Sequence, residues 1–261
     1  MGLTFLQSAA VHIQALVRAG QATLGISSLL HFHIFTQQRF RADSWSIPNH
    51  RKALTLAEII MTIPTLLKNI SADFFAENAD LDLQELVENQ LLDSIALQSK
   101  WLGYSPASTD EIASLESRLG VKLPSSFKEF LLNSNGFRNV SMFLDNLFPT
   151  SKIDWAKNTE DSWWFDLLES QEYKVSDKDY FQYSQPQDEI KFRGEYFRHS
   201  LKISEWHKGM CIFLNPIITF ENEWEVLEYA TWFPGTLRFK SFKDFLINTH
   251  LDNKQRIKNF S

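Results

Sequence analysis

The stretch that decides the fold runs from Trp101 to Gly136 and reads WLGYSPASTDEIASLESRLGVKLPSSFKEFLLNSNG. Its first half predicts a helix. Ser108 is a good helix cap, and Glu111 follows three positions later, which is the spacing of a capping box. Gly120 supplies a left-handed terminus. Between these two ends, residues recur at the helical spacing of three and four, namely Ile112, Leu115, Glu116 and Leu119.

The second half predicts a turn and another helix. Leu123 and Pro124 turn the chain, and Ser125 or Ser126 begins the helix. One face of that helix carries Phe127, Phe130 and Leu131, and Asn135-Gly136 ends it. None of these side chains supplies reactive chemistry, so the stretch is predicted to pack and to present a surface.

The order and spacing of these elements resemble the SUKH superfamily. Its members include a fungal cell-wall-assembly regulator and many bacterial immunity proteins. In that family, a helix ending in Trp precedes a Pro turn, an E-I-x-x-L-E-x-x-L-G helix, L-P, an aromatic F-L helix and N-G. The matching positions here are Trp101, Pro106, Ala107, Glu111, Ile112, Leu115, Glu116, Leu119, Gly120, Leu123, Pro124, Phe127, Phe130, Leu131, Asn135 and Gly136.

The resemblance covers residues 89–251, including a weaker closing element at Trp224 to Tyr229 and Phe239 to Phe245. It implies an α+β domain whose mainly antiparallel sheet is flanked by helices. Residues 1–88 are predicted to be an all-α N-terminal region, since Val11 to Val17, Leu24 to Phe35 and Leu54 to Ile63 have helix-like patterns. Residues 252–261 are predicted to be a polar, frayed tail.

Alternation of apolar and polar residues indicates strands after Gly136. The predicted strands are 140–144, 191–198, 210–214 and 223–231, with 210–214 the central strand because it is nearly all apolar. The polar stretch 151–162 is predicted to be a loop, and Ser241 is predicted to cap a last helix over 242–250.

Composition favours a folded, cytoplasmic protein. Hydrophobic residues make up 44% of the 261 residues, and a net charge of −6 argues against nucleic-acid binding. A single cysteine excludes an intramolecular disulfide, and the longest apolar run is too short to cross a membrane. The acid-poor residues 1–56 are interpreted as a helical segment that packs against the acid-rich residues 57–100, with a targeting peptide as the alternative.

Reactive groups are scattered along the chain rather than clustered. His31 and His33 have no third ligand nearby, and Cys211 has no adjacent base, so a metal site and a cysteine nucleophile are not predicted. Glu221, Glu223 and Glu225 alternate along one strand, which is equally typical of a solvated face. The sequence therefore predicts neither an enzyme nor a cofactor.

One segment has the chemistry of a protein interface. Between residues 154 and 166, tryptophans alternate with carboxylates that complement a basic partner. The alternative is an aromatic cluster facing the core beneath an acidic loop. The candidate partner-binding residues are Asp154, Trp155, Glu160, Asp161, Trp163, Trp164 and Asp166.

The resemblance implies an immunity protein that binds a cognate toxin protein stoichiometrically and blocks it, with no direct contact to nucleic acid or membrane. Many such toxins are nucleases with basic clefts, which a mildly acidic inhibitor complements. The alternatives are a regulatory or scaffold module and, less favoured, an unrecognised hydrolase. The gene immediately upstream distinguishes an inhibitor from a scaffold.

Overall fold

The computed structural model describes residues 54–89, 92–160, 162–169, 174–183, 187–231 and 235–260. The helices predicted from residues before 54, as well as His31 and His33, lie outside the described residues. The described part combines helices with an antiparallel sheet, and this confirms the α+β class. In chain order its α-helices are α1 (Leu56–Ile59), α2 (Ile63–Glu77), α3 (Leu83–Glu88), α4 (Ser94–Ser99), α5 (Thr109–Leu119), α6 (Ser125–Asn133), α7 (Ser162–Glu169), α8 (Asp177–Tyr180) and α9 (Phe242–Phe260).

Local capping explains where α5 begins and ends. The Ser108 side chain accepts from the Glu111 N–H at 3.2 Å, and the Glu111 carboxylate accepts from the Ser108 N–H at 2.8 Å. Gly120 ends α5 at a φ of 72°. The predicted capping box and left-handed terminus are both confirmed. On α6, Phe127 and Phe130 are buried and contact Phe242 of α9 at ring-centroid distances of 5.0 Å.

The strands described form one antiparallel sheet in the order β1-β2-β3-β4-β5. They are β1 (Asp154–Trp155), β2 (Leu201–Lys202), β3 (Met210–Phe220), β4 (Glu223–Ala230) and β5 (Gly235–Phe239). β3 is the central strand, as predicted. It pairs with β4 through a two-residue turn, in which Glu221 and Asn222 have positive φ angles of 49° and 67°. Two such residues are what the right-handed twist of a tight hairpin requires.

The sheet separates two layers because alternate residues of β3 and β4 point to opposite faces. On one face, Ile212, Leu214 and Val226 join the core formed with α2, α5, α6 and α9. The other face carries Cys211, Phe213, Leu227 and Tyr229, which are covered by aromatic residues from 164–206. Both faces are therefore buried over much of the sheet.

Helix α2 belongs to the first of these cores. Its residues Ile63, Leu66, Leu67 and Ile70 are fully buried in the cluster that also contains Phe245 and Leu246 of α9. The hydrophobic core thus continues across the boundary predicted at residue 88.

Three expectations about secondary structure are wrong. Residues 140–144 form a turn rather than a strand, because the Ser141 side chain accepts from the N–H groups of Phe143 and Leu144. Residues 194–199 form a 3-10 helix rather than a strand. At its start Gly194 approaches the Leu168 carbonyl so closely that a Cβ would lie 2.0 Å from the oxygen. The stretch 151–162 contains β1 and a short 3-10 helix, Ala156–Asn158, instead of only loop.

The frayed tail is also contradicted, because α9 continues to Phe260. Long-range contacts extend the helix beyond its predicted end. Asn253 donates to the Val140 carbonyl at 3.2 Å, and Arg256 contacts the Glu77 carboxylate of α2 at 3.2 Å. In the part of the chain described, no helix combines the length and apolar character needed to span a membrane.

Candidate functional site

The acidic-aromatic segment begins on the edge strand β1, where Asp154 and Trp155 are tied to the motif helix α5. The Asp154 carboxylate accepts from the Trp155 N–H at 2.7 Å and lies 3.6 Å from the guanidinium of Arg118. The Trp155 indole donates to the carbonyl of Leu119, the last residue of α5, at 3.2 Å. Both side chains are half-buried, so they fasten the sheet edge to α5 as well as contributing to the surface.

The rest of the segment divides between surface and core. Glu160 is exposed at the turn before α7. Trp164 is half-buried and packs edge-to-face on Trp206 and on Tyr229, with a ring-centroid distance of 6.3 Å in each pair. Phe165 is buried against Phe213 and Phe197. Asp161 lies outside the described residues. Trp163 and Asp166 belong to α7 by their backbone, but their side chains are not described.

A groove opens beside β1, with a cavity volume of about 390 Å³. We call it the Trp155 groove, and its lining residues are Trp155, Lys157, His199, Pro216 and Ile217. It combines an indole ring and two aliphatic side chains with two groups that can carry positive charge.

A bulge in β3 creates the apolar wall of the Trp155 groove. Asn215 pairs with Glu225 and Thr219 pairs with Trp224, so residues 216–218 have no partner in the ladder and project outwards. The Asn215 side chain stabilises the bulge by accepting from the Ile217 N–H at 3.1 Å. Ile217 is consequently 47% exposed, which is high for a residue within a central strand.

The predicted motif residues stabilise helix α5 and the turn that follows it, and α5 contacts Trp155 of the groove. Glu116 of α5 is buried, and it accepts from the Leu123 N–H at 3.0 Å and from the Lys122 ammonium at 2.6 Å. Burial raises the pKa of this carboxyl, but these hydrogen bonds and the charge of Lys128 outweigh burial and lower the pKa below its ordinary value. Glu116 therefore fastens the Gly120–Leu123 turn to the helix that precedes it.

The later motif residues connect α6 to the sheet and to β1. Pro124 provides no side-chain cap for α6, and Glu223 of β4 substitutes by accepting from the Ser126 N–H at 2.9 Å. Asn135 accepts from the Thr150 N–H at 2.7 Å, and Gly136 adopts a φ of 97°. These contacts hold the chain that leads into β1 beside the helical layer.

Sequence reasoning missed a buried polar cluster at Glu225. The carboxylate is fully buried and accepts from Tyr180 at 2.7 Å, from the Asn215 amide at 2.7 Å and from Tyr183. Burial raises the pKa of Glu225 above its ordinary value, although the three donors and the nearby charge of Arg238 oppose this effect. The signal was present, because Glu225 lies on the same strand face as Leu227 and Tyr229.

The Glu225 cluster has a structural role. Its hydrogen bonds join α8 and the residues after it to both central strands, and Glu225 has no surface open to a substrate. It therefore fixes the layer on the second face of the sheet rather than presenting an acid or base.

The remaining candidate chemistry is not gathered into a site. Cys211 is fully buried and lies 3.5 Å from the Ser204 hydroxyl, which donates to it. His199 lines the Trp155 groove, whereas His207 lies near Asp145. Within the described ranges, no three His, Cys, Asp or Glu side chains come together as metal ligands.

Comparison with known proteins agrees with this architecture. The model of the SMI1/KNR4 family (SUKH-1) matches residues 106–248, which is more than half of the chain. The match includes α5, α6, the whole described sheet and the start of α9. No curated protein matches the chain. The chain therefore belongs to the SMI1/KNR4 family (SUKH-1).

Proposed function

We propose that this protein is an immunity protein, which binds a cognate bacterial toxin domain and neutralises it without catalysis. Its family is consistent with such a role and also includes fungal SMI1/KNR4 regulators. An immunity protein acts where its toxin acts, and for an intracellular toxin that place is the cytoplasm. Inhibition requires only a stable surface that excludes the toxin's substrate.

The Trp155 groove is the observation that carries this proposal. An exposed apolar side chain, Ile217, lies beside the half-buried ring of Trp155, and the polar side chains of Lys157 and His199 line the same groove. Apolar anchors inside a polar rim are typical of protein interfaces. We infer that the toxin contacts this groove together with the adjoining segment 154–166.

The carboxylates of that segment, rather than Lys157 and His199 in the groove, favour a basic partner. Glu160 is exposed, and a carboxylate that is free to face solvent speeds encounter with a cationic surface. We propose Glu160 and Asp161 as the leading charges, with Asp154 and Asp166 also belonging to the surface and Trp163 or Trp164 as the desolvated anchor. Asp154 also stabilises the fold, because its carboxylate forms an ion pair with Arg118 of α5.

The direct test is neutralisation of the toxin domain encoded immediately upstream of this gene. Coexpression with that toxin should restore growth, and titration should reach full inhibition at equimolar protein. Full inhibition at a small fraction of that ratio would indicate turnover and favour a hydrolase. Absence of binding to the toxin would contradict the immunity proposal and favour a regulatory or scaffold module.

The surface is tested separately by two variants and a matched control. Glu160→Lys should slow association with the toxin about tenfold at low salt, and the loss should shrink as salt is added. Ile217→Ser should mainly speed dissociation, since it removes an apolar anchor. Glu88→Lys makes the same charge reversal on exposed α3 and should change neither rate. Unchanged kinetics in both test variants would exclude this surface.

A further inference from the structure

A second groove lies in the part of the chain that precedes the family match. It has a cavity volume of about 600 Å³ and lies between the exposed side of α2 and the end of α4. Lys68, Ala72 and Phe75 line it from α2 at helical spacing, and Lys100 and Trp101 line it from the other side. We call it the Lys100 groove. The residues that line it precede the matched range, which begins at 106.

The floor of the Lys100 groove is aromatic and its edges are cationic. Phe75 and Trp101 are half-buried, and the ammonium of Lys100 lies 4.5 Å from the centroid of the Phe75 ring. Trp101 packs edge-to-face on Phe137, with a ring-centroid distance of 5.6 Å. The rings are therefore fixed in place before any partner arrives, which lowers the entropy lost on binding.

Both lysines are available to a partner. Lys68 and Lys100 are exposed, and within the described ranges no carboxylate lies at ion-pair distance from either ammonium. Local positive charge over an apolar floor complements a carboxylate that is next to an apolar side chain.

The backbone at Lys100 supports the same conclusion. This residue ends α4 with a φ of 54°, a left-handed conformation that is normally taken by Gly or Asn at a helix terminus. Lysine has no advantage over glycine for this turn, and its ammonium lies over the ring of Phe75.

We propose that the Lys100 groove binds an acidic segment of a partner protein, in which Asp or Glu side chains contact Lys68 and Lys100 and an aromatic or aliphatic side chain enters between Phe75 and Trp101. The contact is separate from the Trp155 groove and does not depend on the identity of a toxin. An acidic partner segment is favoured over nucleic acid because the overall negative charge of the protein repels an extended polyanion.

The test uses a labelled peptide of repeating Glu-Glu-Phe-Glu and a counterpart of repeating Lys-Lys-Phe-Lys, with binding followed by fluorescence anisotropy and by the NMR signal of the Trp101 indole. The acidic peptide should bind, shift that signal and weaken as salt rises. The basic peptide should not bind. A single-stranded oligonucleotide should bind less tightly than the acidic peptide, and equal or tighter binding of the oligonucleotide would overturn the proposal.

A paired variant separates binding from folding. Lys68→Gln with Lys100→Gly should weaken the acidic peptide about tenfold, since two charge contacts are lost. The glycine relieves the left-handed conformation while it loosens the unfolded chain, so these opposing effects should leave the melting temperature nearly unchanged. Lys178→Gln removes an exposed charge from α8 and should bind as the wild type does. Equal affinity of the paired variant and the wild type would refute the site, as would no binding of the acidic peptide.

Discussion

Glu116 is a motif residue whose role follows from its burial and its hydrogen bonds. Its carboxylate accepts from the Leu123 N–H and from the Lys122 ammonium and forms an ion pair with Lys128, so a Glu116→Ala variant leaves a buried N–H unpaired. We expect this variant to lose about 1–3 kcal/mol of unfolding free energy near neutral pH. Most of that loss should come from the buried Leu123 contact, because the side chain of Lys122 is 83% exposed and its charge is screened.

The pH dependence of the same variant has a definite sign. The pKa of Glu116 is lowered in the folded protein, so its contribution is present above the unfolded pKa and is lost as the pH falls through the folded pKa. The gap in stability between the wild type and Glu116→Ala should therefore narrow on acidification below about pH 4. Urea denaturation across this range measures it, and a gap that widens on acidification would contradict the assignment.

Glu225 should show the opposite pH dependence. Burial raises the pKa of its carboxyl, so folding favours the protonated form, and the contribution to stability is greatest below the unfolded pKa and declines as the pH rises. A Glu225→Gln variant has no carboxyl to titrate. From about pH 4 to about pH 7, the wild type should lose stability relative to this variant. Parallel denaturant curves at several pH values test this, and a relative gain for the wild type would disprove it.

Glu116 and Glu225 differ in how far their burial could be predicted from the sequence. Glu116 lies at helical spacing with Ile112 and Leu119, so its inward direction follows from local geometry. Alternation grouped Glu225 with Glu221 and Glu223 on one strand face, and that pattern is equally typical of a solvated face. Its burial depends on Tyr180 and Tyr183, which come from more than forty residues away, and no local pattern reveals that contact.

At the scale of elements, the α5–α6 pair provides a matched test of packing. Phe130 of α6 is fully buried between Phe127 and Phe242, whereas Leu132 on the same helix is 45% exposed. Phe130→Ala should cost about 3–5 kcal/mol, since it leaves a cavity in the core. Leu132→Ala should cost less than about 0.5 kcal/mol. Urea denaturation compares them, and equal losses would mean that the assigned faces of α6 are wrong.

Elements whose ends are defined by local chemistry were predicted well. The Ser108–Glu111 box, Gly120 and the central strand at 210–214 each depend on neighbours in sequence or on uniform apolarity. The strands predicted at 140–144 and 191–198 depended on alternation alone, and turn hydrogen bonds and a tightly packed glycine override that pattern. Of the residues that line the Trp155 groove, only Trp155 was predicted from the sequence, as a candidate contact, because the β3 bulge that exposes Ile217 is a property of strand pairing.

At the scale of the whole molecule, helix α2 shares one hydrophobic core with the sheet and with α9. Ile63, Leu66, Leu67 and Ile70 of α2 are fully buried, and burying each is worth about 1.5–3 kcal/mol, or roughly 6–12 kcal/mol together. A domain is stable by only about 5–15 kcal/mol. Net stability is a small difference between large opposing terms, so losing these four buried side chains costs an amount comparable with the whole net stability of the domain.

We accordingly predict that a chain of residues 89–261 does not fold cooperatively, whereas a chain of residues 54–261 does. Removing α2 exposes the α9 face that carries Phe245 and Leu246 and leaves Arg256 without Glu77. Thermal melts followed by circular dichroism should show one steep transition for the longer chain and a shallow or absent one for the shorter. Adding α2 back as a separate peptide should restore part of the transition. If residues 89–261 melted as steeply and at the same temperature as residues 54–261, the predicted boundary at residue 88 would be a true domain boundary, and α2 would be packed on the domain without being needed by it.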